Sequence, residues 1–432
     1  MTPGARLSAV IEVLEHSQSG PAPTDAIMAG YFRRRRYAGA KDRREISDTV
    51  FDIWRCWARL GWWIEHAAKA LPTPRYLALA HSVLRCGRKL ATLVEICDGD
   101  GHAPAALSEP ERRFLEALEG RKLDHEDMPA WVAGEYPQWL SAPLTRAFGE
   151  RLEEELAALN QPAALDLRVN TLKGTCVRAL KVLANDGIAA EPTPLSPIGL
   201  RIGRRVNLAT TTAFKGGFVE VQDEAAQLAA LLADARSGMT VVDFCAGAGG
   251  KTLAMAATMK GKGRLIGCDA SAERLERIGP RLKRSGAQNV DIIALDRLPG
   301  HLSGAADRVL VDAPCSGTGR WRREPDARWR LNEESLAGYR ATQGDVLASA
   351  AFLVAPGGRL IYATCSVLCE ENEDAIEAFL SHHKEFTPLP ISTVWHDVLG
   401  SEAPVGTGIF LRLTPARHGT DGFFIAILER HG

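Results

Sequence analysis

Two cysteines follow predicted strands, and their positions indicate covalent chemistry. Cys315 lies in DAPCSGTG (312–319), after one apolar strand, and Cys365 lies in ATCS (363–366), after the next. A glycine-rich turn at 243–252 follows an earlier strand of the same region. Because ligands bind beyond the carboxyl ends of parallel strands, we expect this turn to hold a nucleotide-type cofactor that faces both thiols. This combination suits methylation of a pyrimidine carbon.

Carbon 5 of cytosine is a poor nucleophile, so its methylation needs covalent help. A thiolate that adds to carbon 6 turns the ring into an enamine, and carbon 5 can then attack a sulfonium methyl group. A base must next remove the proton from carbon 5 before the thiolate leaves.

Two other interpretations of these cysteines stay open. They could be small buried apolar residues, as cysteines often are, although both follow strands at the end where the ligand crevice lies. They could also bind zinc. We expect no metal, because Cys365 and Cys369 have no partnering pair and no histidine cluster nearby.

The glycine-rich turn has the composition of a ligand-binding loop. Its glycines allow tight turns, and the helix that it opens favours negative charge at its amino terminus. Its spacing matches neither Gly-x-Gly-x-x-Gly nor a phosphate-binding P-loop. Asp269 ends the second strand, where it could accept both ribose hydroxyls or cap the next helix, and Asp296 follows the third strand, where it could face adenine. A nucleoside held by carboxylates, without a pyrophosphate cradle, predicts S-adenosylmethionine.

From about residue 236 the sequence alternates between apolar strands and helices, which predicts a parallel sheet buried on both faces. The predicted strands are 240–244, 264–268, 290–294, 308–311 and 359–363. The predicted helices are 251–259, 272–285, 333–353 and 370–380. Two late strands with no helix between them, 409–413 and 423–428, predict an antiparallel hairpin on the sheet edge.

Two regions precede this last domain, which we place at 236–432. Apolar residues recur at three- and four-residue spacing from about 5 to 125, so we expect an all-helical domain over 1–130 with most of its tryptophans in the core. His81, on an apolar helix, is expected to be a hydrogen-bonded packing residue rather than a ligand. Residues 136–235 combine a strand at 165–170 with a helix at 177–185, which predicts a small α+β module.

The composition is that of a globular protein of two or three domains. The chain has 432 residues, 46% hydrophobic and 24% charged, with nine cysteines and a formal net charge of -1. The cysteines have no disulfide framework, no apolar run is long enough to span a membrane, and the amino terminus has no secretory leader. We therefore expect a cytoplasmic protein without a membrane partner, and a monomer.

The balanced charge does not exclude a nucleic-acid partner, because binding depends on where charges lie. Basic residues cluster in four runs, at 33–36, 41–44, 201–205 and 320–330. Any one run could be a solvated helix face, but four together favour RNA or DNA. Trp321 and Trp329 alternate with arginines in the last run, so we expect them to stack on exposed bases. The target base would have to leave its stack to reach the thiols.

The sequence resembles the RsmB/Nop/Sun family of RNA cytosine-5 methyltransferases. The motifs that carry this resemblance are VVDFCAGAGGKT (241–252), GCDAS (267–271), ALD (294–296), DAPCSGTG (312–319), Gln343 and PGGRLIYATCSVLCEENE (356–373). LRVNT (167–171) and VQDEAAQL (221–228) extend it into the preceding module. The resemblance implies an α/β fold with a Rossmann-like class I methyltransferase domain, S-adenosylmethionine as cofactor, and 5-methylcytidine in RNA as product.

The resemblance also implies roles for individual residues. Cys365 would be the nucleophile that adds to carbon 6, and Cys315 would promote proton loss and elimination. Asp312 would hydrogen-bond the cytosine ring, with Lys251 in the same catalytic pocket. The implied cofactor-binding residues are Asp243, Cys245, Ala246, Gly247, Ala248, Gly249, Gly250, Lys251, Asp269, Arg274, Asp296 and Asp312. The family usually has Ala-Ala-Pro-Gly-Gly where this chain has Ala-Gly-Ala-Gly-Gly at 246–250, and loss of the proline is expected to loosen this loop.

The amino-terminal helical region, through AGAKDRREISDTVFDIWR (38–55), resembles the NusB-like RNA-binding domain of family members that modify small-subunit ribosomal RNA. This similarity favours 16S rRNA over transfer RNA as the substrate. A catalytically silent RNA-binding ribosome assembly factor is another alternative, but it would have an eroded pocket. A base-amino methyltransferase would carry an aromatic residue where Cys315 follows Pro314, and a DNA cytosine methyltransferase would lack the downstream Thr-Cys-Ser.

Overall fold

The computed structural model describes every residue except Pro21, Arg204, Arg205, Val405, Gly406 and Thr407. The chain divides into two compact units. Unit 1 comprises residues 1–161 and 321–332, and unit 2 comprises residues 162–320 and 333–432. The chain therefore enters unit 1 a second time, a few residues after Cys315. The three domain boundaries given above stay a prediction.

Unit 1 is helical, as the apolar periodicity predicts. Its helices are α1 (Pro3–Gln18), α2 (Thr24–Arg34), α3 (Ala40–Arg55), α4 (Trp57–Trp63), α5 (Pro74–Leu84), α6 (Leu90–Ile96), α7 (Glu109–Leu118), α8 (Ala130–Ala133), α9 (Ser141–Phe148) and α10 (Leu152–Leu159). Ser108 begins α7 with a capping box, in which its hydroxyl and the Glu111 carboxylate bind each other's backbone N–H groups. The apolar helix faces share one core that contains Trp54, Trp62 and Trp63, so the predicted burial of most tryptophans here is confirmed.

His81 is a hydrogen-bonded packing residue in unit 1, as expected. Its Nε2 lies 2.8 Å from Asp52 Oδ2, and Arg85 donates to both oxygens of the same carboxylate. Burial raises the pKa of Asp52, but hydrogen bonds from His81 and Arg85 outweigh it and lower the pKa overall. Cys56 lies in the same cluster, where burial raises the pKa of its thiol and favours the protonated form. These contacts give His81 a structural role.

Unit 2 contains a small antiparallel sheet within the region where the sequence predicts an α+β module. Its strands are β1 (Leu165–Val169), β2 (Glu191–Pro192), β3 (Gly199–Ile202) and β4 (Val219–Val221), in the order β2-β3-β1-β4. The accompanying helices are α11 (Cys176–Asn185), α12 (Thr212–Lys215) and α13 (Glu224–Leu232). Leu167 and Val169 of β1 pack against Ala179 and Leu183 of α11, which explains the alternation in the sequence.

A larger sheet begins after α13. Its first strands are β5 (Thr240–Asp243), β6 (Arg264–Asp269), β7 (Val290–Ala294) and β8 (Ala306–Asp312), all parallel where they pair. The helices between them are α14 (Gly250–Thr258), α15 (Ala272–Glu276) and α16 (Ile278–Ser285). The single helix predicted at 272–285 is therefore wrong. Pro280 lacks an N–H group and its ring conflicts with the Glu276 carbonyl four residues earlier, so the chain starts a new helix there.

The segment 321–332 packs within unit 1 and contains one helical turn, α17 (Ala327–Arg330). Trp321 is only 1% exposed, and the Arg328 guanidinium, 4.9 Å from its ring centre, donates to the Glu135 carbonyl at 2.7 Å. Trp329 is partly buried against the unit 1 core and donates to the Trp54 carbonyl. The expectation that Trp321 stacks on exposed bases is therefore wrong, because its ring is used in packing, and for the partly buried Trp329 it stays a prediction.

Two of the four basic runs also differ from expectation. Arg201 is held by Asp166 at 2.7 Å and by Glu224 at 3.4 Å, and Arg204 and Arg205 lie outside the described residues. Arg322 and Arg328 of the last run are buried. Arg201, Arg322 and Arg328 therefore stabilise the fold, whereas Arg320 of the last run is exposed.

The larger sheet is completed by β9 (Val354–Thr364), β10 (Phe386–Pro388), β11 (Leu411–Leu413) and β12 (Phe423–Arg430). The remaining helices are α18 (Glu333–Ala351), α19 (Glu373–His382), α20 (Ile391–Leu399) and α21 (Pro415–His418). The strand order is β10-β12-β9-β8-β5-β6-β7, with β11 paired to β12. The predicted hairpin forms as β11 and β12, but the expected edge position is wrong. β12 lies between β9 and β10, antiparallel to both.

The predicted Rossmann-like architecture is confirmed. Strand β5 lies between β6 and β8, so the crossovers run to opposite sides at its carboxyl end and leave a crevice there. All nine cysteines are free thiols. Among the residues that the structure describes, no helix is long and apolar enough to cross a membrane.

Candidate active site

A pocket of about 850 Å³ opens at the carboxyl ends of β5, β6, β8 and β9. The residues selected from the sequence that line it are Asp243, Cys245, Ala246, Gly247, Ala248, Gly250, Lys251, Asp269, Arg274, Asp312, Cys315 and Cys365. Gly249 lies just outside the lining and precedes α14 with a φ of 80°, a conformation that glycine adopts without strain. Asp296 is exposed on the turn Leu295–Arg297, where Leu295 reaches the pocket instead, so its contact with adenine stays a prediction.

The two thiols lie close together, Cys315 in the loop after β8 and Cys365 in the loop after β9. Cys315 Sγ lies 3.4 Å from Cys365 Sγ, so one thiol can donate a hydrogen bond to the other. The loops that carry them are joined by the backbone, since Gly319 N–H donates to the Cys365 carbonyl at 2.9 Å. The hydrogen bond to Cys365 and burial raise the pKa of the Cys315 thiol well above its usual value. Cys315 therefore carries its proton at neutral pH.

Lys251 and Asp312 form an ion pair beside the thiols. Lys251 Nζ lies 2.6 Å from Asp312 Oδ2 and 5.3 Å from the centre of the Phe423 ring. Lys251 is in the first turn of α14, which follows β5, and Asp312 ends β8. The pair forms because β5 and β8 end at the same crevice. The second oxygen of Asp312 can accept a hydrogen bond from a ring amino group in the pocket.

Asp243 is a buried acceptor in the wall of the pocket. The Thr252 hydroxyl donates to its Oδ2 at 2.6 Å, while Oδ1 has no partner among the described residues. Burial raises the pKa of Asp243 to about 7. An unpaired buried oxygen is costly, so this position fits a ligand that brings a hydrogen-bond donor, as the amino group of S-adenosylmethionine would.

Asp269, at the end of β6, binds the glycine-rich turn at 243–252, which we call the cofactor loop. Its Oδ2 accepts from Gly247 N–H at 2.9 Å and its Oδ1 from Ser271 N–H at 2.8 Å. The cap of α15 is Ser271, whose hydroxyl accepts from Arg274 N–H, so Asp269 is not the helix cap. Each carboxylate oxygen retains an acceptor site, which fits the two hydroxyls of a ribose.

Two arginines that the sequence analysis did not select hold the cofactor loop by its backbone. Arg281 donates to the Ala248 carbonyl and also pairs with Glu220 at 3.0 Å. Arg168 donates to the Gly250 carbonyl from a fully buried position, where burial lowers its pKa to about 10. These bonds restrain the loop at the position where the family proline is missing. Arg168 lies in the LRVNT motif (167–171), and this motif is the sequence feature that could have identified it.

Glu371, a third residue that was missed, lies beneath both thiol loops. Its side chain is fully buried, and its Oε1 accepts from Ser316 N–H at 2.8 Å and from Gln343 Nε2 at 3.1 Å. Gln343 also donates to the Pro314 carbonyl at 2.9 Å. Both residues stand in the motifs quoted above, but a glutamate in a sequence is ordinarily expected at the surface.

Family models match most of unit 2. The model described as 16S rRNA methyltransferase RsmB/F matches residues 230–429. A second model, the ferredoxin-like domain of RsmF/B-like methyltransferases, matches residues 136–209.

Curated relatives match across much of the chain. It is 34% identical over 326 residues to the probable ribosomal RNA small subunit methyltransferase B of Synechocystis sp., covering 74% of this chain and 72% of the relative. It is 31% identical over 331 residues to the protein with the same description in Bacillus subtilis, covering 72% of each.

Solved structures share the fold. The crystal structure of PH0851 is similar with a TM-score of 0.80 and 27% identity, over 100% of this chain and 99% of that one. A methyltransferase homologue from Pyrococcus horikoshii gives a TM-score of 0.59 at 27% identity, over 69% of this chain and 97% of its own.

Proposed function

Because this chain belongs to the RsmB/F family of S-adenosylmethionine-dependent methyltransferases, we propose that it methylates carbon 5 of a cytosine in 16S rRNA through a transient bond from Cys365 to carbon 6. The observation that carries this proposal is the thiol pair, 3.4 Å apart, in a pocket that also contains the Lys251–Asp312 ion pair and the cofactor loop. An RNA methyltransferase that acts on an amino group would need neither thiol.

The residues of the pocket divide the reaction between them. Cys365 Sγ forms a bond to carbon 6, which makes carbon 5 nucleophilic, and Asp312 accepts a hydrogen bond from the ring. When bound, S-adenosylmethionine supplies the electrophilic methyl group. Carbon 5 then gives its proton to a base in a step that Cys315 promotes, and the bond between carbon 6 and sulfur breaks to release the ring and the Cys365 thiolate.

The raised pKa of Cys315 supports this division of roles. A nucleophile must be a thiolate, so a thiol that keeps its proton is the poorer candidate for addition to carbon 6. The hydrogen bond between the two sulfurs, burial and the nearby Glu371 charge all raise the pKa of Cys315. This agrees with addition by Cys365, and the role of Cys315 in elimination rests on the resemblance of its motif to that of the family.

Product analysis tests the proposed reaction. The purified full-length chain is incubated with S-adenosylmethionine and either 16S rRNA, assembled small subunits or transfer RNA, and the digested nucleosides are identified by mass spectrometry. We expect 5-methylcytidine in 16S rRNA. A methyl group on an exocyclic amine would overturn the reaction, 5-methylcytidine in transfer RNA alone would overturn the substrate, and no methylation of any RNA would favour a silent assembly factor.

An exposed basic surface on unit 1 is the proposed place for RNA. In the stretch 33–44, Arg35 forms an ion pair with Glu12 and Arg43 donates to the Ala38 carbonyl. The other arginines of the stretch and Lys41 are exposed, and Tyr37 is 65% exposed. We name as the basic surface the residues Arg33, Arg34, Arg36, Tyr37, Lys41 and Arg44. Cations around an exposed aromatic ring can hold phosphates and stack on an unpaired base.

Reversing charge on the basic surface is expected to weaken RNA binding selectively. In the triple variant Arg33→Glu, Arg34→Glu and Arg36→Glu, KM for RNA should rise at least about tenfold and the salt dependence of binding should become shallower, because phosphate contacts release fewer counterions. Calorimetry should find cofactor affinity unchanged. Substitution is preferable to deleting the amino-terminal region, since Trp321 packs within unit 1.

The matched control reverses three other exposed charges of unit 1, with Arg113→Glu, Arg121→Glu and Lys122→Glu. It makes the same change in net charge at another site. Equal losses in both triple variants would show that only overall charge matters, and the basic surface would lose its proposed role.

A further inference from the structure

Glu371 is a carboxylate whose acceptor sites are all used. It ends the short turn Cys369–Glu371 after β9 and is fully buried. Oε1 accepts from Ser316 N–H and from Gln343 Nε2, and Oε2 accepts from the Ser316 and Ser366 hydroxyls. Four donors match the four lone-pair positions of a carboxylate. Such saturation is what makes burial of the charge tolerable.

The donors are placed next to the reacting thiols. Ser316 directly follows Cys315 and Ser366 directly follows Cys365, so one side chain fixes the residue after each sulfur. The Thr318 hydroxyl, 3.1 Å from Ser366 Oγ, accepts from Val367 N–H at 3.0 Å and joins the same two loops again. The two loops therefore share one rigid base.

Glu371 does not itself reach the substrate space. It is absent from the lining of the pocket, and its side chain is held by Ser316, Gln343 and Ser366. Its effect must therefore pass through the serines that it binds. A carboxylate accepts from both loops at once, which an alcohol or an amide in the same place could not do fully.

We propose that Glu371 is a positioning residue that holds the Cys315 and Cys365 loops at the separation required for proton handling between the two sulfurs, an inference that rests on the proposed function. The 3.4 Å distance between the sulfurs is then a property set by Glu371, not by the thiols alone. Sulfurs that drift apart would still lie in the pocket, but addition and elimination would lose their coordination.

The test is Glu371→Gln, which keeps the shape but replaces one acceptor oxygen by a donor group. We expect kcat to fall by about 10- to 100-fold, because small misplacements of catalytic groups cost rate steeply, while KM for RNA and for the cofactor changes by less than about threefold. Glu377→Gln, an exposed glutamate on α19, makes the same chemical change away from the loops and should behave as the wild type.

A second readout measures the thiols directly, without RNA or cofactor. A bimane reagent with two electrophilic arms fluoresces when it links two neighbouring thiols, and peptide mapping identifies the pair as Cys315 and Cys365. We expect linking to be at least about tenfold slower in Glu371→Gln than in the wild type and in Glu377→Gln. Unchanged linking would overturn the positioning role. A wild type that links its thiols but makes no 5-methylcytidine would instead overturn the proposed function.

Two milder variants keep the inference testable if Glu371→Gln does not fold. Ser316→Ala and Ser366→Ala each remove one hydroxyl donor to the same oxygen. Because both act through Glu371, their effects on linking should be non-additive in the double variant. Strictly additive effects would mean that the serines act separately and would contradict a shared base.

Discussion

Replacing Cys365 by alanine is expected to abolish methylation of RNA. Carbon 5 of cytosine stays a poor nucleophile unless a sulfur has added to carbon 6, so loss of the attacking thiolate removes the reaction rather than slowing it. Cys315 is not expected to attack in its place, because burial raises the pKa of the Cys315 thiol. This burial persists in the Cys365→Ala variant. Transfer of a labelled methyl group to 16S rRNA measures the effect.

Cofactor binding separates this result from a folding defect. Calorimetry should give Cys365→Ala an affinity for S-adenosylmethionine within about twofold of the wild type, because the lost group acts on the base and not on the cofactor. Cys369→Ala is the matched control, since that buried thiol lies four residues further along the chain and contacts Arg412 outside the pocket. Full activity of Cys365→Ala would remove the covalent step from the proposed function.

The parts of the fold that follow from local pattern could be predicted. Near-continuous apolar strands separated by helices predict the parallel strands β5 to β9 and the helices between them. The position of β12 could not be predicted, because β10, which covers its other side, is only three residues long and ends in a proline. So short a strand leaves no periodicity in the sequence.

Burial by distant partners accounts for the other differences. Arginines that alternate with Trp321 and Trp329 are typical of an exposed RNA-binding segment, yet the Glu135 carbonyl and the unit 1 core that bury them come from nearly two hundred residues earlier. Glu371 was missed for the same reason. Of its donors, Ser316 and Gln343 lie 55 and 28 residues away and only Ser366 is near in sequence, so the sequence alone does not indicate that the charge can be buried.

The candidate site was more accessible to prediction than these contacts. Strand ends of a parallel sheet meet at one edge, so residues that follow different strands, such as Asp243, Asp312 and Cys365, share a pocket whatever the details of packing. The hydrogen bonds from Arg168 and Arg281 to the cofactor loop depend on how the small sheet and α16 are placed in the folded chain. That placement is tertiary and has no local signature.

Replacing Cys315 by alanine is expected to trap a covalent complex between the protein and RNA. Cys365 still adds to carbon 6 and the methyl group is still transferred, but the proton on carbon 5 is no longer removed with the help of Cys315, so the carbon–sulfur bond does not break. After incubation with labelled 16S rRNA and S-adenosylmethionine, a denaturing gel should show a band of reduced mobility that contains both molecules.

The double variant Cys315→Ala with Cys365→Ala is the control, and it should give no such band because the attacking sulfur is missing. The opposite assignment makes the opposite prediction. If the adduct persists in Cys365→Ala and disappears in Cys315→Ala, then Cys315 is the nucleophile, and its high pKa would have to fall when the base binds. If neither single variant gives an adduct while the wild type methylates carbon 5, then the loss of Cys315 does not stall elimination. The 3.4 Å separation of the sulfurs would then have no catalytic meaning.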